Sequence, residues 1–318
     1  MNHPIELSPP DISAYRNGNT GVDYVHMFDS GKPGPNIMVQ ALTHGNEFCG
    51  AIALDFLFKQ GITPIQGKLT LAFANVAAFA RFDFDDPDRS RFIDEDYNRV
   101  WGDEALLGAR DSAELRRARE LRPFVDAADY LLDLHSMTEP CQPIMVCAVL
   151  GKGGEKSIAL SRRIGVPGDL LLDTGHPAGL RMIERGAFND PGRPQTAVLI
   201  ECGQHWEKSA ADVAVDTLFR FLAATGAANA SICNSHARRS PPAVQRVIRV
   251  TEPVVVKSMG FKFPYPFKGL EVIPEAGTVV AIDGDTTWKT PYDDCVLVMP
   301  SLAHVKPGTT ALRLGKYD

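Results

Sequence analysis

Short apolar runs alternate with longer amphipathic stretches through the first two thirds of the chain. Val22–Phe28 and Asn36–Leu42 are brief and β-rich, and Gly50–Lys59 behind them has the apolar spacing of a helix. Lys68–Asn75 is again β-rich. Ser112–Ala128 puts Leu115, Ala118, Leu121 and Val125 on one face under a basic outer surface, the period of an amphipathic helix. Tyr130–His135 is a nearly continuous apolar run, as expected of a strand covered on both faces. Ile144–Val149, Leu170–Asp173 and Ala197–Ile200 read alike, and Ala210–Leu222 predicts a long helix. Strands alternating with helices predict an α/β domain with a mostly parallel or mixed sheet.

The pattern changes near Asn229–Pro242, where Ser, Arg and paired prolines predict a linker with little helical or strand propensity. Beyond it come short β-runs at Val244–Val250, Thr278–Asp283, Cys295–Met299 and Thr310–Leu314, punctuated by Gly and Pro. The expected organisation is a catalytic-sized domain over residues 1–239 and a smaller all-β domain over residues 240–318.

Composition narrows the function. The chain has 318 residues, is 44% hydrophobic and has a net charge of −6. Mild acidity without a Lys/Arg tract argues against a nucleic-acid partner. No run approaches the roughly eighteen apolar residues of a membrane span. Pro, Asp and Asn interrupt the apolar runs near the N-terminus, so no signal peptide is expected. The six cysteines form no CxxC pair and are expected to be reduced, mostly buried filler in a cytoplasmic protein. Cys49 and Cys202 adjoin the polar clusters below and raise the idea of a thiol nucleophile, which packing explains better. Homo-oligomerisation is left open.

Four polar clusters sit at the ends of these runs: His44-Gly45-Asn46-Glu47, Arg91 with Asn98-Arg99, Asp133-Leu134-His135, and Glu201. In layered α/β sheets ligands gather beyond the carboxyl ends of strands, so the order of the runs alone brings these residues to one edge. His44, Glu47 and His135 form a set that can hold Zn²⁺ with a position left open. Gly45 would permit the tight turn between the first two. Each signal is weak alone: His44 could cap a helix, and His135 could be a hydrogen-bonded core residue. Asp133 could back a ligand imidazole or be a buried acid held by backbone donors. Arg91 and Arg99 suit a carboxylate or a developing oxyanion, or salt bridges to Asp94 or Asp96. Glu201 closing a buried strand is a candidate general base. His176, Arg193 and His205 read as structural or rim residues, and Tyr292 as a turn tyrosine.

Taken as an ordered set, these clusters resemble the succinylglutamate desuccinylase/aspartoacylase family, zinc-dependent relatives of the carboxypeptidases. The resemblance implies a three-layer mixed sheet of the zinc-carboxypeptidase type with a smaller C-terminal β domain. It implies one Zn²⁺ held by His44, Glu47 and His135, with Glu201 as the base toward water and Arg91 stabilising the oxyanion. Asn98 and Arg99 would hold a substrate carboxylate, and the reaction would be hydrolysis of a small N-acyl amino acid. Two stretches depart from the family pattern. Tyr97 replaces an aliphatic residue before Asn-Arg, and Glu201-Cys202-Gly203-Gln204-His205 replaces the Gly-Pro-rich continuation of aspartoacylases. The further arginine that aspartoacylases use could be Arg181, Arg185 or Arg193. The competing readings are a zinc carboxypeptidase acting on peptides and a non-catalytic metal- or ligand-binding relative.

Overall fold

The computed structural model describes residues 3–149, 151–303 and 305–318. The chain begins with strands β1 (Val25–Asp29) and β2 (Asn36–Ala41), helix α1 (Cys49–Gln60) and strand β3 (Lys68–Phe73). Two short helices, α2 (Val76–Phe79) and α3 (Asp103–Leu107), lead to α4 (Ala113–Ala127). Strands β4 (Tyr130–Met137) and β5 (Ile144–Val149), helix α5 (Gly154–Ile164), strands β6 (Asp169–Asp173) and β7 (Thr196–Gln204), and helices α6 (Lys208–Ala224) and α7 (Ala230–Ser235) follow. The rest is β8 (Arg246–Val255), β9 (Glu271–Ile273), β10 (Val279–Asp283), β11 (Thr286–Lys289), β12 (Cys295–Val298) and β13 (Thr310–Tyr317).

Eleven strands build one mixed sheet in the order β1-β3-β2-β4-β7-β5-β6-β8-β13-β12-β9. β3, β2, β4 and β7 run parallel, whereas β5 is antiparallel to β7. The near-continuous apolar strands have both faces covered, as their pattern requires. Leu132, Leu134, Val198 and Ile200 pack with Leu54, Leu160 and Phe219 of α1, α5 and α6. Their neighbours Leu131, Ala197 and Leu199 belong to a second cluster with Leu115, Leu121 and Val125 of α4. The alternation along each strand thus sorts the side chains between two cores.

β8 joins this sheet beside β6, with Asp169 opposite Arg246, and β13, β12 and β9 extend it by antiparallel pairs. Beyond residue 240 every regular element among the described residues is a strand. Val254, Phe261, Val280, Leu297 and Leu312 form a separate apolar cluster there.

Two helices depart from the sequence reading. The expected linker contains α7, whose N-terminus is capped by the Asn229 side chain accepting from Ser231 N at 2.9 Å. Helix α5, left without an assignment by the sequence pattern, begins at a glycine pair. A Cβ on Gly154 would fall 2.5 Å from Leu172 Cδ2, so glycine lets the helix lie directly on β6. All six cysteines are free, five of them buried and Cys141 half-buried. No described helix is long and apolar enough to cross a membrane.

Candidate metal centre and substrate pocket

Three adjacent parallel strands deliver the central residues. β2 ends at Ala41, and Leu42 takes the left-handed conformation (φ 60°), which turns the chain toward Thr43 and His44. His135 lies within β4 and Glu201 within β7, directly opposite each other in the parallel register. Glu201 therefore does not end its strand, as the apolar run predicts, because β7 continues to Gln204.

Gly45 does not take a positive φ; what it supplies is space. A Cβ there would come within 2.3 Å of the Ser90 carbonyl oxygen and 2.4 Å of Phe79 N. The same glycine donates its N–H to Arg91 O at 3.1 Å, fastening the His44 turn to the segment that carries Arg91.

The two imidazoles are arranged alike. His44 presents Nδ1 to Glu47 Oε1 at 2.7 Å and Nε2 to Asp96 Oδ1 at 2.9 Å. His135 presents Nδ1 to Glu47 Oε2 at 3.1 Å and Nε2 to Asp133 Oδ2 at 2.8 Å. With a metal bound, a backing carboxylate would keep the ring proton on Nε2 and leave Nδ1 to ligate. Asp133 is fixed in turn by the Thr43 hydroxyl at 2.8 Å, which accepts from Gln40 Nε2 at 2.8 Å. Burial works against charge on Glu47, yet the neighbouring His44 and His135 hold its carboxyl well below the usual carboxylate range. Burial likewise opposes the charged form of His135, and Asp133 and Glu47 override it and raise its pKa.

The donor atoms of His44, Glu47 and His135 lie within 4.8 Å of one another, and all three residues are buried. The spacings of 2.7 and 3.1 Å from the two Nδ1 atoms to the Glu47 oxygens are ones that bonds of roughly 2.0–2.2 Å to one divalent cation can close, and the N,N,O set suits Zn²⁺. Glu201 Oε2 is also buried there with no hydrogen-bond partner among the described residues. Burial pushes the Glu201 carboxyl up to about 8. The residues present therefore fit a metal ion with a carboxyl group beside it.

The segment from Arg91 to Arg99 forms the opposite wall. Arg91 donates to Glu47 Oε1 at 3.1 Å and lies 3.2 Å from His44 Nε2. Arg91 and Arg99 also approach Asp96, at 3.9 and 3.8 Å, so the salt-bridge reading of this segment is partly realised. Asp94 instead accepts from Ala113 N at 2.8 Å. Asn98 accepts from Met182 N at 3.0 Å. Tyr97 is wholly buried behind the wall and meets Trp101 edge to face at 5.6 Å.

Asn98, Arg99, Glu201 and the three ligand candidates line one cavity of about 220 Å³. Arg181, of the three arginines that compete in sequence, reaches this cavity, but Asp173 (2.7 Å) and Glu184 bind it. Arg185 pairs with Asp103 and Asp126 at the surface, and Arg193 lies outside the cavity. His205 lines the cavity with Nδ1 at 2.9 Å from Ser136 Oγ. Tyr292 lies outside it, bonded to Thr251 at 2.7 Å.

Two residues of consequence escape the sequence reading. Arg313 on β13 lines the cavity, 3.5 Å from Asp173. Burial, with Arg181, Arg313 and Arg91 nearby, lowers Arg99 to about 10 despite Asp96, and burial with Arg99, Arg313 and Arg181 lowers His176 to about 3. Arg99, Arg181 and Arg313 thus gather at this end of the cavity around Asp173. The second is Glu114, buried at the start of α4, which accepts from Ile93 N, Asp94 N, Glu95 N and Asn75 Nδ2 at 2.7–3.2 Å. It anchors the segment that carries Asp96, Asn98 and Arg99. Neither shows a local sequence motif.

Residues 33–225 match the succinylglutamate desuccinylase/aspartoacylase catalytic domain. None of the curated proteins matches the chain. Among solved structures, a succinylglutamate desuccinylase from Vibrio cholerae superposes with a TM-score of 0.68 at 18% identity, over 93% of this chain and 86% of its own. One from Vibrio parahaemolyticus gives 0.65 at 18% identity, over 89% and 82%. The product-bound ectoine utilization protein EutE (DoeB) from Ruegeria pomeroyi gives 0.61 at 15%, over 92% and 88%. These likenesses show a shared fold, and the domain match covers more than half of the sequence. The chain belongs to the succinylglutamate desuccinylase/aspartoacylase family.

Proposed function

We propose that the protein is a zinc-dependent deacylase that hydrolyses the amide bond of a small N-acyl amino acid. The observation that carries the reading is the paired geometry of His44 and His135. Each turns Nδ1 toward Glu47 and Nε2 toward a backing carboxylate, beside the unpartnered Glu201. When bound, a divalent ion supplies Lewis acidity, makes water a usable nucleophile near neutral pH, and by its charge favours the ionised form of Glu201.

The chain's own residues do the rest. Glu201 takes the proton of the attacking water on its free Oε2 and returns it to the leaving amine. Arg91 sits beside the ligands, where its guanidinium faces the negative charge that develops on the amide oxygen. Asn98 and Arg99 hold the substrate carboxylate and set its register at the arginine-lined end of the cavity.

We read the architecture as a three-layer sheet of the carboxypeptidase type over residues 1–239, with residues 240–318 as a β domain that narrows the cleft. Six unpaired cysteines support a reducing, cytoplasmic setting. The test is a screen of N-acetyl, N-succinyl and N-formyl amino acids with zinc-reconstituted protein. Release of free amino acid from one of them, lost on chelation, is expected. No release from any, with metal bound, would refute the reading.

A further inference from the structure

The catalytic cavity adjoins a second, larger one that the reaction above leaves unused. Thr138, Glu139, Pro300 and Ser301 line both. The inner cavity holds about 220 Å³ and the outer about 750 Å³. A short-chain N-acyl amino acid would occupy the first and leave the second empty.

The two cavities differ in that arginines line only the inner one and several aromatic rings only the outer one. Arg99 and Arg313 line the inner one. Phe84, Phe263, Tyr265 and Phe267 line the outer one, together with Asp85 and Asp86. Phe84 is 61% and Tyr265 66% exposed, which is unusual for rings that could pack inward. They come from distant parts of the chain, Phe84 from the segment before Arg91 and the others from the loop before β9. Asp85, Asp86 and Asp88 have no cationic partner among the described residues, whereas Glu139 pairs with His3 at 3.1 Å. Aromatic faces attract cations through the ring quadrupole, and uncompensated carboxylates add to that field while repelling anions. Apolar rings beside acids also suit the hydrocarbon part of an organic cation better than a hydrated inorganic ion.

We propose that the outer chamber is a binding subsite for an organic cation with an apolar body, carried on the half of the substrate opposite its carboxylate. The polarity along the cleft then matches a zwitterionic substrate, with its carboxylate at Arg99 and its cationic acyl end among Phe84, Tyr265 and Asp86. The assignment to a substrate rests on the deacylase reading, but the binding chemistry does not.

The experiment has two arms. In the first, benzyltrimethylammonium and benzenesulfonate are titrated calorimetrically into the 318-residue chain and its Tyr265→Ala and Asp86→Asn variants, and each variant's thermal melt is checked against the wild type. Binding of the cation alone is expected, weakened about five- to tenfold by each variant, as for loss of one cation–aromatic or ionic contact. No binding of the cation, equal binding of the anion, or cation binding unchanged in both variants would overturn the proposal. In the second arm, N-acyl amino acids whose acyl chains end in trimethylammonium or in the neutral tert-butyl group are compared as substrates. A lower KM for the cationic chain, lost in Tyr265→Ala while N-acetyl substrates are unaffected, is expected; equal KM values would overturn it. Failure to hydrolyse any N-acyl amino acid would strike the deacylase reading, and the binding arm would still decide the chamber.

Discussion

Replacing Glu114 with alanine removes the acceptor that holds the wall of the pocket. Three consecutive backbone N–H groups, of Ile93, Asp94 and Glu95, and the Asn75 amide converge on this one buried carboxylate. Hydrogen bonds to a charged group contribute about 1.5–3 kcal/mol each, but the freed backbone donors of a half-exposed segment regain water. A net loss of about 3 kcal/mol, at the low end for a broken buried charge network, is the expected outcome. With an unfolding entropy of about 2.1 cal/mol/K per residue, 318 residues give roughly 0.7 kcal/mol/K, so Tm should fall by about 4–5 °C. Scanning calorimetry measures this, and limited proteolysis reports whether cleavage concentrates between Arg91 and Arg99. Glu114→Gln keeps one acceptor oxygen and should fall between the two. Turnover should drop along with the anchor, since Asn98 and Arg99 ride on the same segment. A Tm within about 1 °C of wild type, with no new cleavage there, would refute the anchoring argument.

Further outcomes follow from the site. Glu201→Gln should leave metal content and Tm of the metal-free protein near wild type, because below a pKa of about 8 the native carboxyl is itself protonated there. It should lower kcat about 10²–10⁴-fold, and intact turnover would remove Glu201 as the base. Arg99→Ala should raise KM far more than Arg116→Lys at the exposed Arg116–Asp111 pair, measured by initial rates; equal effects would discard the carboxylate anchor. Asp173 is opposed by burial but held below its usual 3.8 by Arg181 and Arg313. Its folded pKa is depressed, so its stabilisation is present above about 3.8 and lost as pH falls below that value. Asp173→Asn should flatten the acid side of the Tm profile, and an unchanged slope there would exclude this pair as its source.

What the sequence makes legible is set by what periodicity encodes. The apolar runs at Tyr130–His135 and Ala197–Ile200 mark two strands that prove adjacent, and the polar residue in each comes to lie opposite the other. The candidate ligands could be found because each follows or lies within such a run. Arg313 could not, since it sits on β13 and reaches the pocket only because β8 attaches the C-terminal strands to β6. Glu114 reads as an ordinary first-turn acid behind the Ser112 cap, and only the folded path of residues 93–95 makes it an anchor. Asp96 reads as one acid among several until its distance to His44 Nε2 distinguishes it. The outer chamber is assembled from loops far apart in the chain, which carry no periodic signal.

Metal stoichiometry tests the central claim most directly. Elemental analysis of the zinc-reconstituted chain should find about one ion per chain in the wild type and in Glu201→Gln, and loss of it in both His44→Ala and His135→Ala. Zinc retained in both histidine variants, or none bound by a folded wild-type chain, would contradict the assignment of His44, Glu47 and His135.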